Sequence, residues 1–189
     1  MPTQINICQT SAGVDEFIRR CACVLNTTIF AIVQDVMEML LSEGHIPSVH
    51  QLYPSSGKLS SPYSRLASVN LIAHSINASA IILENIDRRM PLDQLSVLAC
   101  VSHDIGKIPR LLKMVDGAYS RVKHARASAN ALQDLIGGRI PPRQSELIID
   151  AVRHHHEYRN FGPIWENLVK ADQLAREKEE FLLMSTRRQ

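Results

Sequence analysis

No apolar run in this chain reaches the roughly 18–20 residues that a bilayer-spanning helix requires, so no membrane association is expected. The N-terminus, Met1-Pro2-Thr3-Gln4, has no basic region and no apolar stretch, so no secretory leader is expected either. Cysteine is scarce. Cys8, Cys21, Cys23 and Cys100 show no framework spacing, and Cys21-Ala22-Cys23 is not the spacing of a zinc knuckle. They are expected to be reduced thiols of a cytoplasmic protein, with Cys100 in the core. An excess of one charge is lacking too. The net charge of +2 is too small to argue for nucleic acid on electrostatics alone. There is no internal repeat and no low-complexity segment. Sustained strand alternation between turn signals is also missing, and this makes the expected fold class all-α.

What is present is helical periodicity. The 189 residues are 45% hydrophobic and 21% charged, enough for one domain with a core, or one domain with a helical extension. Val14 to Leu41 carries apolar residues at Phe17, Cys21, Val24, Leu25, Ile32, Val36 and Leu40. Thr27-Thr28-Ile29 weakens its middle, so one helix or two can form, and Gly44 and Pro47 stop it. Residues 47–62, rich in Pro, Ser and Gly, read as a loop or linker. Helices are then expected over Ser64 to Asn85, from Pro91 at N1 to His103, and from Tyr119 to Ile136. Two more are expected from Pro141-Pro142 to about His156 and from Ile164 to about Met184. In the last, Leu168, Ala171 and Leu174 are read as inward, and Arg176-Glu177-Lys178-Glu179-Glu180 as a charged face. Gly106 and Pro109 are read as ending the region around His103. Residues 1–60 are thus expected to be an N-terminal helical extension and linker, and 61–189 the main domain.

On this scaffold stands a fixed order of imidazoles and carboxylates: His74, His103-Asp104, His124, the run His154-His155-His156-Glu157, and Asp172. Taken singly, each has a plain structural explanation. His74 on an apolar helix suits a satisfied core histidine. Asp104 before Gly106 suits a cap or turn. The triple histidine suits a solvated run, and at least one of its members is expected to be solvated. Asp172 beside Ala171 needs a cation or an arginine, because an unpaired carboxylate on an apolar face is costly. Taken together they form a mixed nitrogen and oxygen ligand set for transition-metal ions. His74, His103, Asp104 and Asp172 would form one site. His124 with one or two of His154 to His156 would form a second, with Asp104 shared. Two ions roughly 3.5–4 Å apart would activate a water and clamp a phosphate for in-line attack. Lys107, three residues past Asp104, adds a positive charge for an anionic substrate.

The order His…His-Asp…Asp resembles the HD-domain metal-dependent phosphohydrolases, over about residues 61–180. The finer pattern is similar to the HD-GYP proteins with a two-metal site. It is carried by His74-Ser75-Ile76-Asn77-Ala78, by His103-Asp104-Ile105-Gly106-Lys107, by His124, by His155-His156-Glu157 and by Asp172 after Ala171. The Gly-Tyr-Pro signature is rewritten here as Tyr158-Arg159-Asn160-Phe161-Gly162-Pro163, so cyclic di-GMP is not the expected substrate. Some three-metal members carry a Glu one turn before the first His. Asn70 stands there, and two ions are expected. The end of the chain, from Lys170 to Glu177, also resembles HD proteins linked to relaxases of conjugative elements.

The resemblance implies an HD-like helical bundle that hydrolyses a nucleotide or related phosphoester, as a phosphodiesterase or phosphomonoesterase. Metal ligands would be His74, His103, Asp104, His124, His155, His156 and Asp172, with Asp104 and Lys107 catalytic. Lys107 and Arg159 would contact the substrate anion. A set this rich in imidazole favours iron, manganese, zinc, nickel or cobalt over magnesium alone. A second reading is a regulatory or nucleotide-sensing module without turnover, tied to signalling or DNA processing. Arg110, Lys113, Arg121, Lys123 and Arg126 would serve nucleic acid or a small anion equally well, so nucleic acid stays open as a partner. Homodimerisation stays open too.

Overall fold

The computed structural model describes residues 11–49, 65–87, 90–115 and 120–185. Among these residues there are eight α-helices, one short 3-10 turn and no strand, so the fold is all-α. The segment from Val14 to Leu41 is two helices, α1 (Ser11–Val24) and α2 (Thr27–Glu43). Asn26 makes the break. Its side chain accepts from the Ile29 amide at 2.9 Å and caps α2, satisfying a donor that has no intrahelical partner. Gln94 Oε1 accepts from the Asn26 backbone and side-chain amides at 2.8 and 2.9 Å, tying this break to the main bundle. Gly44 closes α2 by donating to Leu40 O.

The next helix, α3 (Leu71–Leu83), starts later than the expected Ser64. Two local causes account for this. Asn70 caps the helix by accepting from the Ala73 amide at 2.8 Å. Just before it, Ser48 donates to Val69 O and Leu71 to Ile46 O, each at 2.8 Å, around an isolated bridge between Pro47 and Asn70. Those backbone groups are committed to each other rather than to a helix. Ser64, His50 and most of the expected 47–62 loop lie outside the described residues. His45, given no role from the sequence, is exposed.

Pro91 opens α4 (Pro91–Ser102), as expected. A 3-10 turn, Ile105–Lys107, follows. Pro109 then opens a short helix, α5 (Pro109–Lys113), instead of ending the region. Ser120 caps α6 (Arg121–Ile136) by accepting from the Lys123 amide at 3.1 Å, and Gly137 ends it at φ +49°. Tyr119 lies outside the described residues. The last helices are α7 (Pro142–Arg153) and α8 (Pro163–Ser185).

One buried cluster joins Phe17, Ile32, Val36 and Leu40 to Leu71, Leu98, Leu132, Ile148 and Leu168. The N-terminal helices therefore pack into the same core as the rest. Full burial of each Leu or Ile stabilises by about 1.5–3 kcal/mol, which holds the helices that carry the polar centre. In α8 the inward stripe is Ile164, Leu168, Ala171 and Ala175, with Leu174 only half-buried. Cys21 and Cys100 are buried and Cys23 is exposed, all with free thiols; burial pushes the Cys21 thiol up to about 12. Cys8 lies outside the described residues. Among the described residues no helix is long and apolar enough to cross a membrane.

Candidate metal centre

Five separate segments deliver polar side chains to one buried point. His74 comes from the first turns of α3 and His103 from the C-cap of α4, with Asp104 next in the chain. His124 comes from the first turn of α6, His155 and His156 from the turn after α7, and Asp172 from the middle of α8. His74, His103, Asp104, His124 and His155 are buried. His156 and Asp172 are half-buried, Asp172 with 25% of its side chain exposed.

The two oxygens of Asp104 face different partners. Oδ2 lies 3.3 Å from His103 Nε2 and 3.7 Å from His74 Nε2. Oδ1 lies 3.1 Å from His124 Nε2 and 3.8 Å from His155 Nε2. Asp172 Oδ1 stands 3.0 Å from His74 Nε2 and 3.8 Å from His103 Nε2, on the Oδ2 side. His156 Nε2 stands 2.9 Å from His124 Nε2, on the Oδ1 side. Two groups result, each compact enough to hold an ion. One is His74, His103 and Asp104; the other is Asp104, His124, His155 and His156.

The ring orientations are set from outside the cluster. His103 Nδ1 donates to Cys100 O at 2.8 Å, His155 Nδ1 to Val152 O at 2.7 Å and His124 Nδ1 to Ser120 O at 3.1 Å. Cys100 and Val152 lie in the last turns of α4 and α7, where carbonyls lack intrahelical partners. His74 Nδ1 donates to Glu179, 3.1 Å from Oε1. Carbonyls and carboxylates only accept, so each Nδ1 carries the proton and each Nε2 turns a lone pair inward.

The inward atoms make up most of the buried, unpartnered side-chain polar atoms among the described residues. His74 Nε2, His103 Nε2, His155 Nε2, Asp104 Oδ1 and Asp172 Oδ1 are buried without a hydrogen bond of acceptable geometry. A buried unsatisfied polar atom costs about 1–3 kcal/mol, and five at one point is a large penalty for a packing solution. Nitrogen and oxygen lone pairs aimed at common centres, with satisfied second nitrogens behind them, are the donor set of a divalent ion.

Charge states suit the same role. Burial works against ionisation of Asp104, but the Lys107 ammonium and the His103 imidazole outweigh it and hold the carboxyl well below its usual range. Asp172 is likewise held low against burial, chiefly by the close His74 imidazole. Burial, with His156 beside it, lowers His155; burial, with His124 beside it, lowers His156 to about 4. His103 is raised, because Asp104 more than offsets its burial. The carboxylates are therefore charged and His155 and His156 neutral near pH 7, as ion ligands must be.

The remaining expected residues are placed as follows. His154 stays outside the centre: its Nδ1 lies 2.6 Å from Glu157 and its ring stacks on Phe161. Arg159 is exposed, with its guanidinium 5.8 Å from the Phe161 ring. Lys107 is 9% exposed and donates from Nζ to Asp104 Oδ2 at 2.5 Å and to Ser48 O at 2.7 Å. Burial lowers its pKa, while Asp104 opposes that effect. Arg110 pairs with Glu43 at the surface.

Three residues of the centre were not singled out from the sequence. Arg176 lies 3.6 Å from Asp104 Oδ2 and donates to Ser48 Oγ at 2.7 Å. Ser48 supplies its carbonyl to both cations. Glu179 is buried behind His74. The expected charged face of α8 is thus corrected at Arg176 and Glu179, which turn inward. A signal for them was present: Asp172, Arg176 and Glu179 are spaced i, i+4 and i+7, on one helical stripe. Ser48 had no comparable signal.

No curated protein and no solved structure matches the chain. The model of the HD domain family matches residues 71–180, which contain every histidine and carboxylate of the centre. The chain therefore belongs to the HD domain family, within the superfamily of metal-dependent phosphohydrolases.

Proposed function

We propose that this chain hydrolyses a nucleotide or related phosphoester at a two-ion centre, as a phosphodiesterase or phosphomonoesterase. One observation carries the reading: Asp104 offers each of its oxygens to a different group of imidazoles. His74, His103, Asp104 and Asp172 would hold one ion; Asp104, His124, His155 and His156 would hold the other. Bound divalent ions supply Lewis-acid charge stabilisation and an acidified water nucleophile at neutral pH. The protein's share is to keep the Nε2 lone pairs turned inward and the carboxylates ionised. Lys107 and Arg176 place two positive charges on the Oδ2 side, where charge on a phosphoryl group would be met. Arg159 is proposed as an outer anion contact. Iron, manganese, zinc, nickel or cobalt suit the imidazole-rich set. Free thiols at Cys21, Cys23 and Cys100 support a cytoplasmic setting.

Elemental analysis of protein purified without added metal, followed by a panel of nucleotides and generic phosphoesters, tests the proposal. Wild type is expected to carry transition metal and turn over at least one phosphoester, with cyclic di-GMP not preferred. Asp104→Ala is expected to lose both metal and activity. Unchanged metal content in Asp104→Ala would refute the shared carboxylate, and cyclic di-GMP as the fastest substrate would refute the specificity. One observation favours the regulatory reading instead: the Lys107 ammonium is already engaged by Asp104 and Ser48. Nucleotide binding to metal-loaded protein without turnover would establish that reading.

A further inference from the structure

Three of the buried imidazoles are anchored locally, by a carbonyl three or four residues before them. His74 is the exception. Its Nδ1 reaches instead to a carboxylate 105 residues away, Glu179 on α8. Glu179 is 1% exposed. It accepts from His74 Nδ1 at 3.1 Å and Asn77 Nδ2 at 2.9 Å, and Arg176 donates to its Oε2 at 3.3 Å.

A carboxylate this deeply buried is costly unless several donors converge on it, and here three do. Asn77 alone would be as well served by a neutral acceptor. What the carboxylate adds is a charged acceptor on the outer nitrogen of His74. Such an acceptor fixes the tautomer and makes the inward Nε2 a better donor. The same helix places Asp172 Oδ1 3.0 Å from that Nε2. One helix therefore grips both nitrogens of a single ring, two turns apart.

Given the ion-binding reading of the centre, we propose that Glu179 is a positioning residue that acts through His74. It governs occupancy of the group His74, His103, Asp104 and Asp172, and leaves the group built on His124, His155 and His156 unaltered. Its effect is felt only through the His74 ring, by its orientation, tautomer and donor strength, so Glu179 touches no ion itself.

The test is titration of Mn2+ into metal-stripped full-length chain, together with imidazole 15N shifts of His74 in that same metal-free state. Glu179→Leu removes the acceptor. It is expected to weaken one of two binding events by about 10- to 100-fold, as loss of an outer-shell partner typically does. It should also shift His74 away from the Nδ1–H tautomer. Glu179→Gln keeps a neutral acceptor and should show the smaller effect, near tenfold, with the tautomer retained. If Glu179→Leu does not fold, the Gln variant decides, and wild-type affinity for both ions in it overturns the proposal. Two wild-type binding events in Glu179→Leu, with only thermal stability reduced, overturn it as well, since that is the signature of packing alone. A wild-type chain that binds no Mn2+ overturns the metal reading and this proposal with it, whereas normal wild-type binding beside unaltered variants overturns the proposal alone.

Discussion

Replacing Gly106 with alanine would drive a methyl group into the backbone of α6. A Cβ built at Gly106 stands 2.1 Å from His124 O, 2.5 Å from Ser128 N and 2.8 Å from Ala127 Cβ. None of these is the loose end of a flexible side chain, so the helix itself must retreat. Ordinary contact begins at 3.4 Å, which sets the retreat at about 1.3 Å. That movement would also break the 2.8 Å hydrogen bond from the Gly106 amide to Ser128 Oγ. Overpacking typically costs about 1–3 kcal/mol and one lost hydrogen bond about 1 kcal/mol, giving roughly 2–4 kcal/mol. For a chain of this length each kcal/mol lowers Tm by roughly 2–4 °C. The same retreat carries His124 Nε2 from its place 3.1 Å from Asp104 Oδ1, and a misplacement near 1 Å can cost about 100-fold in a catalytic site. Chemical denaturation and metal stoichiometry of Gly106→Ala should show both losses. Gly138→Ala is the control. Gly138 has φ +80° and nothing within 4 Å of an added Cβ, so only about 1–2 kcal/mol of backbone strain is expected and no loss of metal. Stability within about 0.5 kcal/mol of wild type and full metal content in Gly106→Ala would refute the close-approach reasoning.

Lys107→Met should keep the fold and the ions but slow phosphoester turnover by roughly 30- to 1,000-fold, and rates at matched metal occupancy check this. Asn26→Ala should cost about 1 kcal/mol through loss of the α2 cap, with metal content unchanged, as urea denaturation and elemental analysis would show. In metal-free protein, His155 and His156 are held below the ordinary 6.5, so the unfolded chain takes up protons there that the fold refuses. Their contribution to stability is complete above pH 6.5 and declines as pH falls towards about 4. His103, raised, works in the opposite direction, and two imidazoles outweigh one. Denaturation midpoints between pH 7 and 4 should therefore fall with acidification, and a flat or rising profile would contradict the assignment.

The sequence by itself determined the long helices and the residues that converge on the centre. Apolar spacing marked each long helix, because periodicity is local and survives without tertiary contacts. Pro91 and Gly137-Gly138 marked ends for the same reason. The seven ion-ligand candidates were legible because ligand chemistry resides in residue type and order. Cost reasoning alone required a partner for Asp172 on an apolar face. Tertiary structure decided the rest. It turned His155 and His156 inward and His154 outward at the end of α7, where the residue types alone left one or two of the three open and only the resemblance of His155-His156-Glu157 had chosen between them. It gave Gly106 its purpose, since the clash comes from a helix some 20 residues on. It drew Arg176 and Glu179 out of a charge run and into the centre, where their partners Ser48 and His74 lie 128 and 105 residues away. Local pattern records which side chains can carry charge. Only the packing of distant segments decides which charges are buried together, because burial is favourable only where the matching donors and acceptors have been brought to the same place.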